Sequence, residues 1–116
     1  MEPSKKLIKL KLNKEFRRAY GRGRSFVHSG VVTYVVKNRE GRIRVGVTTG
    51  KKLGNAVKRA RARRVILAAF RECLPHISGG YDIVFVARVK TPLMKSHQVL
   101  EGMRAHLISA GLWNEQ

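Results

Sequence analysis

The chain has 116 residues, room for one domain with a modest core, and its 43% hydrophobic content is too high for a disordered basic tail. Its 25 lysines and arginines stand against 7 aspartates and glutamates, and the resulting formal charge of +18 attracts polyanions. Nucleic acid is the first partner implied; an anionic membrane comes second, because it calls for a basic helix with a broad apolar face.

Residues 1–12 mix lysine with leucine and contain no continuous apolar stretch, so no secretory signal is expected. No stretch has the length of a membrane span, and a cytoplasmic protein is expected. Lys5, Lys6, Lys9 and Lys11 repel one another, so 1–12 is expected to be the loose basic edge of a single domain covering 1–116. Asn13 is placed to cap a short helix over 14–20, which Gly21 and Gly23 end. The β-branched and aromatic run 26–37 reads as one strand, and 38–41 as a polar hairpin turn. A second strand over 42–49 would point Ile43, Val45 and Val47 to a core, and Arg42, Arg44, Gly46 and Thr48 to an open polar face.

Gly54 and Asn55 provide a turn and a cap for a long helix over 56–74, which Pro75 terminates. Cys73 is the only cysteine and falls on the apolar side of that helix, which excludes a disulfide framework and fits a reducing compartment. Gly79 and Gly80 lead into 81–89, apolar at nearly every position, as expected of a strand covered on both faces. Thr91 and Pro92 open a last helix with Leu93, Leu100, Met103 and Leu107 at helical spacing, closed by Gly111. The expected order is α-β-β-α-β-α, an α/β layered domain with a small central sheet.

The segment 51–71, KKLGNAVKRARARRVILAAFR, carries eight basic side chains and no carboxylate. Opposite charges four apart support a solvated helix and like charges repel, so Lys58, Arg59, Arg61, Arg63 and Arg64 require an anion outside the protein. Arginine predominates there, and guanidinium matches phosphate in bidentate geometry. At 100° per residue, Ile66, Ala69, Phe70 and Cys73 form a core stripe; Arg59 and Arg63 lie near the same side, with Arg61 and Arg64 nearly opposite. This phasing suggests a helix buried in its C-terminal half and projecting its N-terminal half toward phosphate.

Phe16 and Tyr20 share a face of the first helix, with Arg17, Arg18 and Arg22 interleaved. They read either as a stacking platform for single-stranded RNA or as packing against the sheet, and spacing alone favours packing. Tyr34 shares its strand face with Val32 and Val36 and also reads as core. His28, His76, His97 and His106 lie in separate segments without metal-ligand spacing, and Asp82 is the only aspartate. No carboxylate pair suggests a two-metal nuclease, so no catalytic residue, metal or cofactor of the protein's own is expected. A histidine pair assembled in space is the open alternative. Residues 51–54 lack the glycine and GK[ST] order of a P-loop.

Lys51-Lys52, Gly54-Asn55-Ala56-Val57 and Arg59-x-Arg61-x-Arg63-Arg64 resemble the signature helix of the protein subunit of bacterial ribonuclease P. The first helix with Phe16 and Tyr20, the strand with Tyr34, the RVGV strand and YDIVFVAR follow in that family's order. The resemblance implies a ribosomal-protein-like α+β sandwich with a left-handed β-α-β crossover, an exception to the usual hand. It also implies a role in maturing tRNA 5′ ends within a ribonucleoprotein whose RNA is the catalyst and uses Mg²⁺. Its partners would be ribonuclease P RNA and precursor tRNA, with no membrane and no protein partner required. By position, Lys52, Asn55, Lys58, Arg59, Arg61, Arg63 and Arg64 would face the catalytic RNA. Phe16, Arg17, Tyr20 and Tyr34 would line a cleft for the 5′ leader, which reverses the packing preference for these rings.

Two positions depart from the family pattern: Ala60 stands where asparagine is usual, and Gly50 where serine is usual. Neither carries a functional expectation. A ribosomal or ribosome-assembly protein is the alternative binding module, and a stand-alone endoribonuclease the alternative enzyme.

Overall fold

The computed structural model describes residues 7–114. Its elements are α1 (Asn13–Arg22), β1 (Arg24–His28), β2 (Val31–Lys37), β3 (Arg44–Thr48), α2 (Ala56–Cys73), β4 (Tyr81–Ala87) and α3 (Ser96–Ser109). Single 3₁₀ turns occupy Lys51–Leu53, Leu74–His76 and Thr91–Leu93. The four strands form one sheet in the order β1-β2-β4-β3, antiparallel except for the parallel β3–β4 pair.

Strand alternation assigns the two faces. Val31, Val35, Val45, Val47, Ile83 and Phe85 pack under α2 and α3, around Ile66, Phe70, Met103 and Leu107. The rings of Phe70 and Phe85 meet at 5.4 Å across this layer. Burial of each such side chain contributes roughly 1.5–3 kcal/mol. On the opposite face, Val36 and Val84 pack with Leu10 and Ala19 beneath α1.

The layered α+β class expected from the sequence is present, but its strand count and connections differ. Residues 26–37 are not one strand: β1 and β2 are separated by a turn at Ser29 and Gly30. Gly30 is buried, its carbonyl accepts from Thr91 Oγ1 at 2.7 Å, and a Cβ there would crowd the Met94 side chain. The order is therefore α-β-β-β-α-β-α.

Residues 38–41 do not close a hairpin, because β4 lies between β2 and β3. The almost wholly apolar β4 suits this interior place, covered on both faces. Leu93 is 80% exposed and stands outside α3, whose start at Ser96 leaves Leu93 in a 3₁₀ turn. The N-terminal stretch, expected to be loose, is paired where it is described: Val45 N donates to Ile8 O and Leu10 N to Val45 O, each at 2.8 Å. Lys5 and Lys6 lie outside the described residues.

Asn13 does not cap α1. Instead Glu15 reaches back, its Oε1 accepting from the backbone N–H of Lys11 and Leu12 at 3.0 and 2.9 Å. Its Oε2 accepts from Arg44 Nη1 at 2.9 Å. Arg44 also donates to both oxygens of Asp82, from Nε at 2.8 Å and Nη2 at 2.9 Å. Asp82 is only 1% exposed and further accepts from Asn38 Nδ2 at 2.8 Å. This buried chelate locks α1, β3, β4 and the 38–42 connection together, and fills the face of β3 that alternation left open. Arg44 is held more firmly protonated by its bond to Asp82.

Removing one member of a buried pair leaves the other uncompensated. Arg44→Met should cost about 3 kcal/mol in urea unfolding, and a loss below about 1 kcal/mol would contradict this role. The Leu12 N–H bond and, to a lesser degree, Arg44 hold Glu15 below its ordinary value of 4.5. Its contribution is full above that value and lost as pH falls through the lower folded value. The melting temperature should therefore fall below pH 4.5 more steeply in the unmodified chain than in Glu15→Gln.

Candidate nucleic-acid interface

The basic segment begins with a structural device. Gly54 takes φ +115°, a region that favours glycine, and turns the chain from the Lys51–Leu53 turn into α2. Asn55 is the N-cap, its Oδ1 accepting from Lys58 N at 3.0 Å. Ala62, Ile66, Ala69, Phe70 and Cys73 are buried beneath the helix, the stripe that the phasing predicted with Ala62 added. Burial pushes the Cys73 thiol up to about 12, so it stays protonated and inert.

The cations do not simply project. Lys51, Lys52, Lys58 and Arg64 are exposed. Arg59 is half-buried, and its Nε is buried without a hydrogen-bond partner. Arg61 bends to the turn before α3, donating from Nε to the Pro92 carbonyl. Arg63 crosses to β3, donating from Nη1 to Val47 O at 3.1 Å and from Nη2 to Thr49 Oγ1 at 3.3 Å. Among the described residues, the ion pairs all meet at Arg44 and Asp82, and none involves 51–71. The positive charge of this segment is therefore uncompensated within the fold.

An open groove of about 480 Å³ runs between α1 and the end of β3. Phe16, Arg17 and Tyr20 line it from α1, Val47 and Thr48 from β3, Thr49 from just beyond that strand, and Arg63 from α2. Phe16 lies against Gly46, where a Cβ would come within 2.5 Å of its ring, so glycine is what lets the ring approach the strand. Tyr20 is 39% exposed, and its hydroxyl is hydrogen-bonded to Thr48 Oγ1.

Tyr34 is the exception among the expected cleft residues. It is half-buried in the layer under α1 and does not line the groove; it backs Tyr20, ring centroids 5.0 Å apart and planes at 78°. Arg63, phased near the core side and expected to face the catalytic RNA, lines the groove wall. Thr48 and Thr49 in the groove, and Gly46 against the Phe16 ring, are not singled out by the sequence, where alternation puts Gly46 and Thr48 on an open polar face; α1 covers that face.

The histidines do assemble in part, on the other face of the sheet. His28 and His106 have ring centroids 6.2 Å apart, but both are engaged. His28 Nδ1 accepts from Gly30 N, and His106 Nδ1 meets Thr33 Oγ1 at 2.7 Å in a buried contact. Burial lowers the pKa of His106 and favours its neutral form. His76 stacks on Trp113 at 4.9 Å. Among the described residues no group of three or more histidine, cysteine or acidic side chains could hold a metal ion, and no helix is long and apolar enough to cross a membrane. What the surface offers is an array of free cations beside a groove with one exposed aromatic ring, which is chemistry for binding RNA.

Comparisons with known proteins show the family and the fold. The family model described as Ribonuclease P matches residues 4–111. The ribonuclease P protein component of Clostridium beijerinckii is 38% identical over 117 residues, covering 95% of this chain and 94% of that protein. That of Clostridium novyi is 42% identical over 113 residues, covering 95% and 99%. The structure of the Staphylococcus aureus RNase P protein superposes with a TM-score of 0.79 at 33% identity, covering 94% of this chain and all of that one. The RNase P protein of Thermotoga maritima gives a TM-score of 0.74 at 26% identity, covering 85% and 94%. With a family model matched over residues 4–111, relatives 38% and 42% identical over 95% of the chain and a fold match over 94% of it, the chain belongs to the ribonuclease P protein family, whose members are the protein component of that endoribonuclease.

Proposed function

We propose that this chain binds the catalytic RNA of ribonuclease P through the basic face of α2 and holds the 5′ leader of precursor tRNA in the α1–β3 groove. Lys52, Lys58, Arg59 and Arg64 offer free charge to the RNA; Asn55 fixes the helix start and keeps its amide group exposed. Arg61 would present its remaining guanidinium N–H groups from the edge beside Pro92. In the groove, Tyr20 supplies a stacking surface and Arg17 and Arg63 supply charge, with Phe16 and Tyr34 as its packed backing. The RNA performs the cleavage and carries the Mg²⁺ it requires; the protein neutralises phosphate where the two RNAs meet.

One observation carries this reading: Arg63 is common to both surfaces, reaching from the basic helix into the aromatic groove. One continuous cationic surface can thus serve a structured RNA and a single strand at once. No comparable geometry supports a stand-alone nuclease, since the paired histidines lie across the sheet from the groove and are hydrogen-bonded to the protein itself.

Each neutralised phosphate releases counterions, so affinity for the catalytic RNA should fall steeply with salt. Arg59→Ala combined with Arg64→Ala should flatten the log–log salt slope by about 0.7–0.9 per residue; an unchanged slope would remove both from the interface. Tyr20→Ala in the reconstituted holoenzyme should weaken precursor tRNA binding by about tenfold and leave mature tRNA binding unaltered, since stacking on one ring is worth about 1–3 kcal/mol. Equal losses for both substrates would return Tyr20 to a purely structural role.

A further inference from the structure

Tyr20 is partly open to solvent, and its hydroxyl is already hydrogen-bonded within the protein. Tyr20 lines the groove from α1, and the residue is 39% exposed. An exposed tyrosine on a helix ordinarily samples several rotamers and loses that freedom when it stacks on a base. Here two contacts hold it before any ligand arrives. The hydroxyl is bonded to Thr48 Oγ1 at the end of β3, and the ring meets Tyr34 at 78°. A T-shaped contact with Tyr34 covers at most one face of the Tyr20 ring.

We propose that Thr48 is a positioning residue for the leader, fixing Tyr20 so that a base meets the face of its ring and not its hydroxyl. This rests on the groove reading above and adds to it the manner of recognition. Thr48 sits where this can work. Alternation turns it to the α1 side with Arg44 and Gly46, while its neighbours Val47 and Thr49 are occupied by Arg63. Thr48 Oγ1 takes one of the hydrogen-bonding positions of the Tyr20 hydroxyl, and the ring face it holds in place stacks on any base. The groove is thereby built to accept leaders of varied sequence.

The test is a double-mutant cycle at Thr48 and Tyr20, in holoenzyme reconstituted with ribonuclease P RNA, with affinities measured for precursor and mature tRNA. Thr48→Val keeps the shape and removes the hydroxyl, and should weaken precursor binding about threefold to tenfold with mature tRNA unchanged. Tyr20→Phe removes the same bond from the other side and should cost a similar factor. The double variant should lose no more than either single one, and Thr48→Ser should retain near-normal affinity. Unchanged precursor binding by Thr48→Val would overturn the proposal, as would losses that multiply in the double variant, because Thr48 would then act independently of Tyr20. Failure of the unmodified holoenzyme to prefer precursor over mature tRNA would overturn the groove reading itself, and this inference with it.

Discussion

The bidentate bond from Arg44 to Asp82, extended to Glu15, is the contact on which the functional surface depends. α1 has no long-range backbone pairing to the sheet and covers it with a small apolar layer around Ala19. Its orientation therefore rests heavily on the Arg44 guanidinium that joins β3, β4 and the first turn of α1, with Arg18 of α1 adding a bond to Lys37 O and a longer ion pair to Asp82. Phe16, Arg17 and Tyr20 all ride on that helix, so the width of the groove and the placement of its rings follow from this chelate. Gly46 completes the arrangement by admitting the Phe16 ring to the strand surface.

The same network explains where the charge goes. Acidic side chains are few in this chain, and two of them, Glu15 and Asp82, are engaged by Arg44. None is within ion-pair distance of the basic segment among the described residues. The C-terminal half of α2 anchors in the main core through Ile66, Ala69 and Phe70, while the N-terminal half carries cations that only a partner can neutralise. Arg61 and Arg63 are tethered to backbone and hydroxyl acceptors, which orients their guanidinium groups without cancelling their charge.

Much of this was legible in the sequence where a local rule governs. The cap at Asn55, the stripe from Ile66 to Cys73 and the two-sided burial of β4 follow from periodicity and capping chemistry. The failures are of another kind. The turn at Ser29 and Gly30 was hidden inside a β-branched run, because tertiary packing against Met94 and Thr91 defines it. The insertion of β4 between β2 and β3 is a long-range choice that no local signal records. The ring of Tyr34 was first read as core, then assigned to the cleft by family resemblance; it lies between these, packed itself and supporting the exposed ring of Tyr20. Arg63 is expected from the sequence to face the catalytic RNA, but its place in the groove wall is not legible there, because helical phasing gives a direction around the axis and not the strand edge that waits there.

The central claim, that this protein acts by uniting two RNAs and not by its own chemistry, is tested most directly by reconstitution at low Mg²⁺. Protein, ribonuclease P RNA and precursor tRNA are combined in all pairings, and release of the 5′ leader is followed. The account predicts processing only when protein and ribonuclease P RNA are both present. Leader release by the protein without that RNA, or by the RNA equally well without the protein, would contradict it.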